Sequence, residues 1–442
     1  MKLHAMPSVD RASLIKVLEQ YAGQVQPSLQ LQQCAAESFH HLYFFHHGYN
    51  TDVRLDDFVA ALSSVSGLAA LNAWGYRGSP NTAGGPALRQ LASWLLAQLA
   101  HKSPADITLQ LNAFLERNSV ELEEVLILWG LNPQEPVDLG RGIRLVPTKV
   151  LRPHPITDLI HQIRLPEQSL LNNSYYTQHI RPRAALVRTV HHEPILLPQD
   201  FSSEAPRLEP DLQEVVDALP LLRKGPISPV FHYFAGPVEL PFVGAGGWSG
   251  QEIRGSYHFD VQESPISAGV EYVRCYVLMN PVERKPFRIA LASLATADEL
   301  TARGNGFALG RAAVEIGMAL ESVLSEEGEG NDSLSFKVQM RGASWLGGVA
   351  SERLANMRAL KDIYSMRSKV AHGGELKTIR RGRRSVLAPV PWGGEKIPAD
   401  EALSRSGDLC GKIIGTLISN RAIADWNRFV LTGEKTPLIP SS

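Results

Sequence analysis

The spacing of apolar residues changes twice along this 442-residue chain, and those two changes limit its fold more than any single motif. Up to about residue 122 the apolar positions recur at helical intervals. Leu88, Leu91, Leu95 and Leu99 form one stripe, reinforced by Trp94 and Leu96, and Pro86 just before it suits a helix start. Ser13–Leu18 opens a short amphipathic helix closed near Gly23, residues 54–72 read as a helical pair, and Ala105–Glu116 places Ile107, Leu111 and Leu115 one turn apart. Gly75–Gly85, rich in turn formers, reads as a loop.

Near Val125 the period shortens. VLILWGL is a short apolar run, and VDLGRGIRLVP after it reads as strands around a turn. Ala184–Val190 and Val270–Met279 are expected strands; Leu212, Val215, Val216 and Leu219 fit a helix within Leu208–Leu222. Gly236–Gly250 is expected to be a hairpin or surface loop. It lacks the strand-Gly-x-Gly-x-x-Gly-helix setting of a dinucleotide loop, and no Gly-Lys-Ser/Thr follows. NPVERKP at 280–286 is a junction, after which the helical period returns.

In this last third, Phe287–Leu294 begins a helix, and Thr301–Asn305 holds residues that break or cap it. Phe307–Leu324 is long and apolar, with Leu309, Ala312, Ile316, Leu320 and Val323 on one stripe. Glu321, beside that stripe, needs a basic partner, and Arg341 on the next helix is the candidate, making the pair a structural brace. Helices are also expected at Leu334–Val349, Ser351–Ala371 and Glu401–Val430. The expected fold class is thus multidomain α+β. It comprises a mainly helical region 1–122, a β-rich or mixed region 123–285 (alone or as one unit with 1–122), and an all-α bundle at 286–442.

Composition narrows the function classes. With 44 basic and 45 acidic residues there is no global electrostatic signal for nucleic acid, so any such contact must be local. Cys34, Cys275 and Cys410 are far apart, which suits a reducing compartment and forms no ligand set. His40, His41, His46 and His47 lie in an expected half-exposed helix at 31–47, without a carboxylate or cysteine arranged as a metal site. The acidic stretch Glu326–Asp332 lacks regular coordinating spacing. Neither a metal nor a cofactor is expected. The N-terminus lacks the apolar core of a signal peptide and no stretch is long enough to span a membrane, so the expected location is the cytoplasm.

The richest stretch chemically is LKDIYSMRSKVAHGG, Leu360–Gly374. Leu360, Ile363 and Val370 share a helical face, and Gly373-Gly374 stops the helix. His372 falls in its last turn, Ser368 one turn earlier on the same face, and Arg367 five residues back, about 140° around. A basic stretch follows: Lys377, Arg380, Arg381, Arg383 and Arg384 with no acid between them, suited to holding phosphates. A histidine near neutrality exchanges protons, and an arginine stabilises a charged phosphorane. Together they suit attack of a ribose 2′-hydroxyl on its neighbouring phosphate. One histidine is thin equipment for two proton transfers, and a twofold dimer would supply a second. Taken alone, Arg-x4-His is a weak signal that also fits a surface pair.

The order AVEIGMALESVL (313–324), Arg341, then YSMRSKVAHGG (364–374) resembles the HEPN superfamily (higher eukaryote and prokaryote nucleotide-binding), particularly its Apea-like branch, over roughly residues 287–430. The family's Arg-x4-6-His motif falls on Arg367 and His372. The resemblance implies a HEPN-like helical bundle and a metal-independent endoribonuclease. Two copies would form one composite cleft in a homodimer or higher oligomer, leaving 2′,3′-cyclic phosphate and 5′-hydroxyl ends on RNA such as tRNA or mRNA. It also implies a setting in anti-phage defence or a toxin system, with the N-terminal region sensing a phage trigger or an antitoxin protein. Active members often carry Asn, Asp or His after the motif arginine; here it is Ser368, with Lys361 and Tyr364 upstream and Lys369 beside it as supporting groups. Two alternatives stand beside the nuclease: a catalytically inactive RNA- or nucleotide-binding HEPN protein, and a protein-interaction scaffold.

Overall fold

The computed structural model describes residues 9–27, 49–79, 82–117, 119–152, 182–192, 196–198, 212–222, 225–235, 246–248, 266–304, 306–326, 333–372, 376, 378–381, 384–421 and 425–435. The histidine-rich segment 31–47, most of 154–182 and of Gly236–Gly250, residues 327–332 of the acidic stretch, Gly373-Gly374, Lys377 and Arg383 lie outside the described residues.

The chain begins with α1 (Arg11–Ala22), whose N-terminus is capped by Asp10 accepting from the Ala12 N–H. Strands β1 (Val25–Pro27) and β2 (Tyr49–Thr51) pair antiparallel, and α2 (Leu55–Ser63) follows. The segment expected as a loop at 75–85 is instead a hairpin of β3 (Trp74–Ser79) and β4 (Thr82–Pro86). Its glycines mark register shifts at Gly75/Arg77 and Arg77/Ser79, so the turn-forming composition sits inside irregular strands. Next come α3 (Ala87–Leu99) and α4 (Pro104–Arg117). The leucine stripe of α3 is buried against Leu14, Leu18, Phe58, Leu62, Ile107 and Leu111 in one apolar cluster.

A six-stranded antiparallel sheet follows, in the order β11-β10-β5-β8-β7-β6. Its strands are β5 (Val120–Trp129), β6 (Val137–Gly140), β7 (Ile143–Pro147), β8 (Ala184–His192), β10 (Ser228–Ala235) and β11 (Gly246–Trp248). The short β9 (Leu196–Pro198) leaves this sheet and pairs with β3. The apolar run at Val125 is therefore a strand, as expected from its period, and it lies inside the sheet between β10 and β8. Three adjacent strands bury a charged group. Glu124 on β5 is 3% exposed and pairs in register with Arg188 on β8, 6% exposed. Arg188 Nε donates to Glu124 Oε2, while Glu124 Oε1 lies 3.0 Å from His232 Nε2 on β10. Burial pushes the Glu124 carboxyl up, but the His232 hydrogen bond and the Arg188 charge outweigh it and hold the carboxyl below its usual range.

Helix α5 (Leu212–Ala218) occupies the expected helical segment before β10. Val270–Met279, expected as a strand, is the body of α6 (Ile266–Leu278). Val273, Tyr276 and Val277 are buried at helical spacing, so their period overrides the β-branched and aromatic composition. The junction at 280–286 forms α7 (Pro281–Arg284), with a capping box of Asn280 and Glu283.

The last region is largely helical. It contains α8 (Arg288–Arg303), α9 (Gly306–Leu324), α10 (Leu334–Leu346), α11 (Ala350–Ala371), α12 (Ala399–Asn420) and α13 (Trp426–Thr432). Helix α8 ends at Gly304 in the left-handed conformation, φ 67°, as the breaker at 301–305 requires. The stretch expected as one helix at 401–430 is two, because Arg421 at φ 46° turns the chain. Nor is the region all-α. Between α11 and α12 lie two hairpins: β12 (Thr378–Arg381) with β13 (Arg384–Leu387), and β14 (Val390–Trp392) with β15 (Glu395–Ile397). The apolar faces of α6, α8, α9, α11 and α12 share one core with Leu126, Leu145 and Leu186 of the sheet.

Candidate functional site

The site is built on α9 and α11, which run antiparallel with glycines of α9 facing larger side chains of α11. Leu360 and Ile363 anchor α11 in the core, and Val370 packs on Gly310 of α9. One turn from Ile363, the chain places Arg367 over Gly317. A methyl group at Gly317 would lie 2.2 Å from Arg367 Cδ, so only glycine leaves room for this side chain. The guanidinium then reaches along α9. Its Nη2 donates to Glu321 Oε2 at 2.7 Å, and the Tyr364 hydroxyl donates to Glu321 Oε1 at 2.5 Å. Arg367 Cζ sits 5.4 Å from the centroid of the Tyr364 ring.

Glu321 is thus a brace, but its partners are Arg367 and Tyr364 rather than Arg341. Arg341 is buried on α10, and its Nη1 donates to the Leu324 carbonyl at 2.9 Å. The carboxylate faces α11 because it lies one turn beyond Gly317. Burial, then the hydrogen bond and charge of Glu321, push the Tyr364 hydroxyl far above its ordinary range. Tyr364 is therefore a neutral donor that fixes the carboxylate. Arg367 remains 28% exposed, and its Nε is buried without a hydrogen-bond partner among the described residues.

His372 stands just past the last full turn, as the C-cap of α11. Its backbone N–H donates to the Ser368 carbonyl at 3.1 Å, and its side chain is exposed. Ser368, Lys369 and Lys361 are exposed too. Arg380, Arg381 and Arg384 fall at the far end of the β12–β13 hairpin, where Arg381 pairs in register with Arg384. The described part of the basic stretch is therefore a two-stranded antiparallel ribbon.

No protein-family model, no curated protein and no solved structure matches this chain. Among the described residues, no group of three or more His, Cys, Asp or Glu side chains is placed to hold a metal ion, and no helix is long and apolar enough to cross a membrane.

The Glu321–Arg367–Tyr364 cluster and the Glu124–Arg188–His232 group both escape sequence reading. The first had a partial signal in Gly317 four residues before Glu321. The second had one in the carboxylates Glu123-Glu124 leading into an apolar strand. Substituting Gly317→Ala is expected to drive Arg367 off Glu321. Loss of that partly buried pair costs about 1–3 kcal/mol, read as a lowered urea midpoint. An unchanged midpoint would mean that Arg367 finds an equivalent position.

Proposed function

We propose that the C-terminal region is a HEPN-like helical bundle that cuts RNA without a metal, using Arg367 and His372. The observation that carries this reading is the contrast between the two side chains. Arg367 is immobilised on α9 by Glu321 and Tyr364, while His372 is exposed at the end of the same helix. A fixed cation and an accessible imidazole are what the transfer needs. The 2′-oxygen bonds to phosphorus as a base takes its proton, and the P–O5′ bond breaks as an acid protonates the leaving oxygen. The products are a 2′,3′-cyclic phosphate and a 5′-hydroxyl, with no water consumed. Ser368, one turn before His372, donates a hydrogen bond to phosphate but moves no proton.

About 140° of helix separates Arg367 from His372, and Arg367 is directed toward Glu321. The pair is therefore completed across two copies of the chain. A homodimer brings two histidines and two arginines to one cleft, supplying both the acid and the base. The N-terminal region, with its own apolar cluster, is the part that senses a trigger or restrains the nuclease, in anti-phage defence or a toxin system. RNA of the tRNA or mRNA class is the expected substrate.

Mixing two inactive variants tests this reading. Arg367→Ala and His372→Ala proteins are combined and allowed to exchange subunits. Half of the motif pairings in a mixed dimer then join intact Arg367 to intact His372 of the other copy, and RNA cleavage returns in part, with one imidazole present and water in place of the second proton carrier. Cleavage that stays absent in verified mixed dimers would contradict the shared cleft. A second reading draws on the ion pair itself: Arg367 bound to Glu321 is also what a non-catalytic RNA-binding protein would use to join α9 to α11. That protein would bind RNA with its hairpin and be indifferent to His372.

A further inference from the structure

Helix α9 begins with an aromatic side chain that has no place in the core. Phe307 is 71% exposed, although it opens a helix whose other large apolar residues are mostly buried. Two contacts locate it. The backbone at Gly306 lies against Leu387 at the base of the β12–β13 hairpin, and the backbone at Gly310 lies against Val370 of α11. A methyl group at either glycine would be 3.4 Å from that neighbour. The start of α9 is therefore wedged between the arginine ribbon and the last turn of α11. Because Glu321, Gly317 and Gly310 meet Tyr364, Arg367 and Val370 in turn, His372 continues toward the Phe307 end.

Three cations lie close to Phe307 along the chain and on the facing helix. Arg311 is one turn further along α9, Arg303 closes α8 just before it, and Lys369 lies beside Val370 on α11. All three are exposed, and none is in an ion pair among the described residues. The nearest acids on these two helices are Glu315, a turn beyond Arg311, and Glu299, a turn before Arg303. The backbone of β12 and β13 carries positions 380, 381 and 384 roughly 10 Å beyond the Leu387 contact at strand rise.

An exposed aromatic ring beside exposed cations is the arrangement that holds an unpaired base while its phosphates are neutralised. We infer that Phe307 is a stacking platform for single-stranded RNA, on a track running from the arginine ribbon past Arg303 and Arg311 to His372. This deepens the nuclease reading and rests on it for the track's end at His372. A duplex hides the faces of its bases, so the track selects unpaired nucleotides.

The test measures binding of a short fluorescein-labelled oligoadenylate to the full chain carrying His372→Ala, so that cleavage does not intrude. Adding Phe307→Ala is expected to weaken binding by about 5- to 150-fold, the range for losing one stacked base. Phe307→Trp restores it, and binding of a blunt RNA duplex is indifferent to either change. Arg311→Ala should instead flatten the salt dependence, lowering its slope by about 0.7 for one phosphate contact. The inference is overturned if Phe307→Ala leaves oligoadenylate binding unchanged. It is overturned equally if the substitution only lowers the oligomeric mass, which would make the patch a contact between copies. Cleavage is scored separately with His372 intact. If His372-dependent cleavage persists without any influence of Phe307, the stacking platform fails and the nuclease reading stands. If Phe307-dependent binding persists with no His372-dependent cleavage, the platform stands and the nuclease reading fails.

Discussion

His372→Ala is expected to reduce RNA cleavage by about 10²- to 10⁴-fold while leaving the unfolding midpoint unchanged. The structural half of this result follows from where the side chain lies. The imidazole is exposed, and the hydrogen bonds recorded at residue 372 come from its backbone N–H, which alanine retains. Removing it opens no cavity and leaves no buried group unpaired. The catalytic half follows from chemistry, since no other imidazole is placed on this face of α11. Arg367→Ala should behave differently. It removes the cation that pairs with Glu321, so cleavage and stability fall together. A thermal melt beside the cleavage assay separates the two variants. A His372→Ala protein that cuts at the wild-type rate would remove the histidine from the mechanism.

Replacing Glu124 with alanine is expected to be the most destabilising change at a polar position, costing about 3–5 kcal/mol. Arg188, 6% exposed, would keep its charge within the sheet with this carboxylate gone, and His232 would lose its contact as well. The acid dependence carries a definite sign. The folded-state carboxyl lies below its ordinary value, so its contribution is fully present above about pH 4.5 and is lost as the pH falls through the folded value. Glu124→Gln keeps the shape and removes the charge. In urea melts, the gap between wild type and Glu124→Gln should therefore be wide at neutral pH and narrow on acidification. A gap independent of pH would mean that the charge of Glu124 is not what stabilises the sheet.

The long periods were legible in the sequence because burial on one helix face leaves a mark at every turn. Leu309, Ala312, Ile316, Leu320 and Val323 all lie in the core, as their spacing predicts. The hairpin at 137–147 was legible from its turn residues for the same local reason. Composition misled where period and residue type disagreed: Val273 and Val277 favour strands yet sit on α6, and the glycines of β3 and β4 resemble a loop. The Arg-x4-His spacing identified the helix but not what holds its arginine. Glu321 and Arg367 are 46 residues apart, and their pairing depends on the antiparallel approach of α9 and α11 over Gly317. Arg341 was the nearer partner by sequence, but its guanidinium is directed to the Leu324 carbonyl. Glu124, Arg188 and His232 come from three strands whose order no local pattern encodes.

The chemical identity of the ends made on RNA in EDTA tests the central claim most directly. Purified protein is incubated with total RNA and defined tRNAs beside the His372→Ala variant, with and without phage extract, while oligomeric mass is recorded. The account predicts 2′,3′-cyclic phosphate and 5′-hydroxyl ends that depend on His372, made by a dimer or higher oligomer. Ends of the opposite polarity, cleavage abolished by EDTA, or a folded dimer that makes no His372-dependent cut with the extract present would contradict it.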